Sequence, residues 1–305
     1  MTVQGAIAPD QMGVTMPHEH IVCDISIQSG KEDNRLDNID LCISEVIAFK
    51  QAGGSTLVDV TPEDIGRDPL ALKRVSEATD VHIITTTGYY SERLYPKYIV
   101  ESSTADLAAR MVREVTDGIG NTGIRPGIIG ELGSHQAHVT PAEEHVLRAA
   151  ARTHLATGLA ITLHSSLDRP APKQLALLQE EGVSPERVIV SHADIVWHED
   201  IAQDLDYFLP LLDAGCYLGF DTIGWKDFSP EPERIKRLCV LIEKGYVSRL
   251  LLSSDLCRRS FYHAYGGRGY DYVLRSFVPK LKARGISDSQ IATMLTDNPR
   301  EILSY

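Results

Sequence analysis

Leu159-Ala160-Ile161-Thr162-Leu163-His164 and Arg187-Val188-Ile189-Val190-Ser191-His192 are two short apolar runs, each ending on a histidine. Between them, residues 173–181 have the apolar spacing of an amphipathic helix. An apolar run without polar alternation predicts a strand covered on both faces, as in parallel sheets. Strand, helix and strand in that order predict a βαβ unit.

The same rhythm runs outward in both directions. Further strands are expected at 15–24, 55–61, 82–88, 126–133, 216–221 and 249–255. Helices are expected at 41–52, 68–79, 104–118, 140–157, 201–214, 231–245 and 270–284, with a helical tail over 287–303. Asp68-Pro69, Thr140-Pro141-Ala142-Glu143 and Ser287-Asp288-Ser289-Gln290 are start signals of cap residue, first-turn proline or capping box, and Gly53-Gly54 is a stop. Eight such units in 305 residues predict an α/β protein with one domain over 1–305, a (β/α)8 barrel of the TIM type. The glycine-rich turn of a dinucleotide-binding sheet does not follow the first strand. Gly266-Gly267-Arg268-Gly269 lies after the eighth strand without a P-loop lysine and hydroxyl, so a flexible loop is expected there.

Composition excludes several classes. The chain is 43 % hydrophobic and 24 % charged, as in soluble globular proteins. A net charge of −12 argues against nucleic acid and against anionic membrane surfaces as partners. No apolar run reaches the length of a membrane span, and residues 1–7 lack the features of a secretory signal. Five scattered cysteines without a Cys-x-x-Cys predict free thiols and a cytoplasmic protein.

Barrel enzymes carry their chemistry at the C-terminal ends of the strands. His18 and His20 fall there on the first strand, two apart and so on one face, with Glu19 on the other. Glu131 ends the fourth run, His164 the fifth, His192 the sixth and Asp255 the eighth. Four imidazoles and two carboxylates on one rim need a cation to hold them together. Six donors exceed the three protein ligands of a single catalytic zinc, so two divalent ions are expected, with Glu131 as the bridging carboxylate. Two such ions, less two carboxylates and a hydroxide, leave one positive charge, which suits an oxyanion.

These positions resemble the amidohydrolase superfamily. The stretches Gly13-Val14-Thr15-Met16-Pro17-His18-Glu19-His20, Thr87-Gly88-Tyr89-Tyr90, Phe220-Asp221-Thr222-Ile223-Gly224 and Gly267-Arg268-Gly269-Tyr270-Asp271-Tyr272 resemble the phosphotriesterase family within it, nearest its branch of phosphotriesterase homology proteins. The resemblance implies that His18, His20 and Asp255 bind a more buried metal and that His164 and His192 bind a more exposed one. Glu131 stands where many relatives carry a carboxylated lysine. That departure weighs against efficient organophosphate hydrolysis. The implied ions are two Zn2+, and relatives are often homodimers. The implied chemistry is attack by a metal-bridging hydroxide, with Asp255 as catalytic proton acceptor. The expected substrate is a lactone or carboxylic ester, phosphorylated sugar lactones included. A phosphotriesterase is the alternative within the class, and a metal-stabilised binding protein without turnover is the alternative outside it.

Substrate contacts are read from the loops. Arg258, followed by Arg259, is expected to hold a phosphate or carboxylate, or else to form a surface ion pair. Tyr89 and Tyr90 are candidates for the pocket wall, with core packing as the competing role. Asp221 and Asp194 are candidates for backing the histidines, for touching substrate or for capping a loop. Trp197 and Trp225 suit an apolar wall, and His135, His138 and His263 lie near the rim.

Overall fold

Short apolar strands with helices between them close into a barrel in the computed structural model, which describes residues 1–165, 167–195 and 197–305. The barrel strands are β1 (Thr15–Glu19), β2 (Thr56–Asp59), β3 (His82–Ile84, resuming after Thr85 as Thr86–Thr87), β4 (Ile128–Ser134), β5 (Ile161–Ser165), β6 (Val188–Ser191), β7 (Tyr217–Phe220) and β8 (Leu250–Leu252). Neighbours pair in parallel and in sequence order, first β1 to β3 and then β3 to β8. The main helices are α1 (Ile39–Gln51), α2 (Pro69–Thr79), α3 (Thr104–Asp117), α4 (Pro141–Thr157), α5 (Ala171–Glu180), α6 (Ile201–Asp213) and α7 (Glu231–Glu243). The (β/α)8 architecture agrees with the sequence reading.

Alternation along the strands divides the core. Val58, Ile84, Ile128, Ala160, Ile189, Tyr217 and Leu251 form one buried cluster with Met12, Ile302 and Leu303. Their strand neighbours, such as Leu57, Ile83, Ile129, Ile161, Val188, Leu218 and Leu250, join the helices in the larger cluster. One face of each strand therefore packs inward and the other outward.

Several boundaries differ from the sequence expectation. The run expected at 15–24 leaves the ladder after Glu19, because the Asp59 carboxylate accepts hydrogen bonds from Ile21 N (2.6 Å) and Val22 N (3.3 Å). Cys23–Asp24 then pairs antiparallel with Arg35–Leu36. The third run breaks at Thr85, where β3 exchanges one neighbour, β2, for the other, β4. The helix expected at 270–284 opens with a π-helical turn, Val273–Phe277, before Val278–Ala283. A second such turn, Thr293–Asp297, precedes Asn298–Leu303. In each case a proline (Pro279, Pro299) is the second residue after the wide turn. Proline has no N–H and its ring crowds the carbonyl four residues back, so widening the preceding turn relieves both problems. The loop with Gly266-Gly267-Arg268-Gly269 is pinned, through Gly267 N to Tyr262 O (2.9 Å) and Gly269 N to Phe261 O (2.8 Å).

Between β1 and β8 the barrel closes through a side chain. His18 N donates to Ser253 Oγ (3.0 Å), and Asp255 N donates to His18 O (3.2 Å). The seam therefore brings the first and last site-bearing segments together. Among the described residues no helix is long and apolar enough to cross a membrane.

Candidate metal centre

The six site residues lie in or just after five of the barrel strands. His18 lies in β1 and His20 just beyond it, with ring centroids 5.7 Å apart and ring planes at 77°. Glu131 lies in β4 and His164 in β5, and His192 and Asp255 follow β6 and β8. His192 (φ 60°) and Asp255 (φ 46°) adopt left-handed backbone conformations. Such geometry costs an L-residue about 1–3 kcal/mol and persists where surrounding contacts fix it.

The structure brings all six expected ligands together. Glu131 Oε1 faces His20 Nε2 at 3.4 Å. Its other oxygen, Oε2, faces His164 Nδ1 (2.8 Å), His18 Nε2 (3.5 Å) and His192 Nε2 (3.6 Å). Asp255 Oδ1 lies 3.3 Å from His20 Nε2 and 3.8 Å from His18 Nε2. His192 Nε2 and His164 Nδ1 are 2.9 Å apart. Donor atoms lie within 4.8 Å of one another in each of three sets: His18, His20 and Glu131; His18, His192 and Asp255; Glu131, His164 and His192.

The far side of each buried ring is held. His18 Nδ1 meets Ser191 Oγ (3.0 Å), His20 Nδ1 meets Thr61 Oγ1 (2.8 Å), and His192 Nδ1 meets Asp221 Oδ1 (2.8 Å). Three histidines therefore turn Nε2 to the centre while His164 turns Nδ1. His18 Nε2 is buried with no hydrogen-bond partner, as befits a lone pair reserved for an ion. Imidazole and carboxylate donors fixed from behind fit a pair of divalent ions.

Electrostatics point the same way. Burial pushes His18 down to about 3, only partly opposed by Glu131. Burial also acts against protonation of His20, but hydrogen bonds and charge from Asp255 and Glu131 outweigh it and lift His20 to about 10. His192 is likewise raised by Asp221 and Glu131 against the effect of burial. Burial favours a protonated Glu131, yet His164, His18 and His192 hold its carboxyl well below the usual range. The carboxylates call for positive charge at the centre, and divalent ions supply it in place of protons.

Asp221 and Asp194 have structural roles behind the rim. Asp221 lies behind His192, whose ring it holds, and does not line the cavity as a substrate contact. Asp194 accepts from Asp221 N and Thr222 N (both 3.2 Å) and pairs with the fully buried Arg234 at 2.7 Å.

A cavity of about 300 Å³ opens over five of the six, His20, Glu131, His164, His192 and Asp255, with His18 beneath them. Tyr90, His135, Trp225, Phe228, Cys257 and Arg258 line it. Tyr89 does not, contrary to expectation. Its ring is buried against Tyr95 and Tyr98, and its hydroxyl accepts from Tyr98 at 3.4 Å. Tyr90 packs edge-on to His164 at 5.0 Å in its place. Trp197 sits over Arg237, whereas Trp225 stacks on Phe228 at 5.4 Å. Arg258 lies at 4.4 Å over Trp225 and pairs with Asp227 at 2.8 Å, while Arg259 is engaged by Arg35 O and Asp37. His138 is exposed and His263 bonds Asp271. Ser191, Thr61 and Phe228 were missed by the sequence reading, although Ser191 and Thr61 were visible as hydroxyls at strand ends.

The chain is similar over nearly its whole length to known proteins. A family model described as the phosphotriesterase family matches residues 1–303. The phosphotriesterase homology protein of Escherichia coli (strain K12) is 36 % identical over 292 residues, covering 96 % of this chain and 98 % of the relative. Its crystal structure, complexed with phosphate in the active site, covers 97 % of this chain and 100 % of its own with a TM-score of 0.92. A lactonase from Listeria monocytogenes is 28 % identical, covers 100 % of this chain and 98 % of its own, and has a TM-score of 0.91. An N-acetyltaurine hydrolase of Homo sapiens is 30 % identical over 345 residues, covering 100 % of this chain and 97 % of the relative.

Proposed function

The chain belongs to the phosphotriesterase family, and from that premise we propose that it is a binuclear metal-dependent hydrolase of lactones or carboxylic esters. The observation that carries this is the central place of Glu131, which reaches all four histidines, His20 through Oε1 and His164, His18 and His192 through Oε2. A carboxylate so placed suits a bridge between two ions, with His18, His20 and Asp255 on one side and His164 and His192 on the other. Two divalent ions held there would supply Lewis-acid polarisation of a carbonyl and a hydroxide nucleophile at neutral pH.

This chain's residues supply the rest. Asp255 accepts the proton of the attacking water and returns it to the leaving oxygen as the acyl C–O bond breaks. Trp225 and Phe228 cover apolar substrate, and Tyr90 walls the side next to His164. Burial keeps the Tyr90 phenol protonated, so it is a donor and not a base. Arg258 suits an anionic end of the substrate, such as the phosphate of a sugar lactone, in exchange for Asp227.

The likeness to a lactonase supports the lactone reading, and the likeness to an N-acetyltaurine hydrolase adds amides to the bonds worth testing. The imidazole and carboxylate donors support zinc. The five free cysteines support a cytoplasmic location, and the family likeness supports a homodimer. The test is a panel of lactones, aryl esters, N-acyl amides and phosphotriesters with the zinc-loaded protein. Preferred turnover of lactones or esters is expected. Preference for phosphotriesters overturns the substrate reading, and two bound ions without turnover favour a binding protein.

A further inference from the structure

The histidines at 18 and 20 direct one face of β1 to the metal centre, and the residue between them, Glu19, faces the opposite way and is fully buried. Its carboxylate is surrounded by donors from one turn. Oε1 accepts from Ser254 N (2.7 Å), Ser254 Oγ (2.8 Å) and Ser253 Oγ (2.8 Å). Oε2 accepts from Leu256 N (2.9 Å) and shares the Ser254 hydroxyl (2.9 Å). These donors flank Asp255 on both sides, and Asp255 itself is held by its own N–H to His18 O (3.2 Å).

We propose that Glu19 is a positioning residue for Asp255, fixing the turn that aims the Asp255 carboxylate at His18 and His20. Three observations converge on this. The turn lies beyond the last ladder residue of β8, Leu252, and Glu19 grips it at Ser253, Ser254 and Leu256. Asp255 holds a left-handed backbone conformation, which relaxes unless contacts on both sides oppose it. The two N–H groups that face Glu19, Ser254 N at Oε1 and Leu256 N at Oε2, can only donate, so only a side chain that accepts with both oxygens satisfies them. The same clamp ties β1 to the end of β8, so the two ligands of β1 and the ligand after β8 move as one body.

The inference rests on the metal-hydrolase reading and deepens it. Glu19→Gln keeps size and shape but turns an NH2 group towards donors. The variant is compared with wild type by metal content after dialysis, by chelator competition for each ion and by kcat and KM on the preferred substrate. The proposal expects wild type to hold two ions and the variant to hold the first one roughly 10- to 100-fold more weakly, with kcat lowered and KM little changed. The ion at His164 and His192 stays. Thermal melting of the metal-free proteins reports any general loss of fold. Two ions held as in wild type with kcat unchanged overturn the proposal and leave the hydrolase reading standing. A lowered melting temperature with both affinities and kcat intact assigns Glu19 to the fold alone and overturns it too. A wild type that holds no metal overturns both. Should Glu19→Gln fail to fold, Ser254→Ala decides. It removes only the shared hydroxyl, and a smaller loss at the same ion is expected. No loss there overturns the proposal.

Discussion

Asp221 Oδ1 accepts two hydrogen bonds from one residue, His192, through its backbone N–H and its ring Nδ1, each at 2.8 Å. One oxygen therefore fixes both the left-handed backbone of His192 and the tautomer that leaves Nε2 free for the centre. Asp221→Ala removes the acceptor of both bonds at once. We expect roughly 10- to 100-fold weaker metal retention or activity, read by chelator competition and kcat.

Arg234 and Asp194 are both fully buried, and they pair at 2.7 Å beneath the turn that carries Asp221. Removing one partner leaves the other as an uncompensated buried charge. Arg234→Met is expected to cost about 3–5 kcal/mol in denaturant unfolding. Pairing it with Asp194→Asn, which removes the charge but keeps an acceptor for Asp221 N and Thr222 N, should recover much of that loss.

Asp64 offers a pH-dependent stability signal away from the metal ligands. Its carboxylate accepts from Tyr90 N at 2.9 Å and Ser91 N at 3.1 Å, and burial lifts it to about 6. A carboxyl raised on folding makes the native state the proton-richer one. Its contribution is therefore fully present below the ordinary value of about 3.9 and is lost as pH rises through 6. Asp64→Asn should remove a falling slope of at most about 1.4 kcal/mol per pH unit from the stability profile between those values. Urea unfolding at successive pH values checks it, and an unchanged profile contradicts it.

Arg258 stands at the cavity with its charge lent to Asp227 at an exposed contact. Arg258→Ala should raise KM for anionic lactones by roughly tenfold or more, since hydrogen bonds to charged groups contribute about 1.5–3 kcal/mol. Neutral lactones should change little. Equal effects on both classes would remove Arg258 from anion recognition.

The barrel and its rim were readable because strand ends carry their chemistry in the chain itself. His164 and His192 close apolar runs, and His18 and His20 share a face by their spacing alone. Distances in space were less accessible. Nothing in the sequence indicates that His164 turns Nδ1 inward while the other three turn Nε2. The choice between Tyr89 and Tyr90 depended on which of two adjacent rings the loop turns to the core. Asp194 could be read as a loop residue, but its partner Arg234 is 40 positions away on α7. The early exit of the first strand came from Asp59, a carboxylate on the next strand that captures two N–H groups. Asp194–Arg234 and the Asp59 capture are long-range polar contacts, for which local pattern carries no signal.

The central claim is that two ions held by His18, His20, Glu131, His164, His192 and Asp255 carry out hydrolysis. The most direct measurement strips the protein with a chelator, returns Zn2+ in known equivalents and follows lactone hydrolysis at each step. No turnover is expected in the stripped protein, with a rise to a plateau at two equivalents per chain. Undiminished hydrolysis by the stripped protein, or a plateau at a single equivalent, would contradict it.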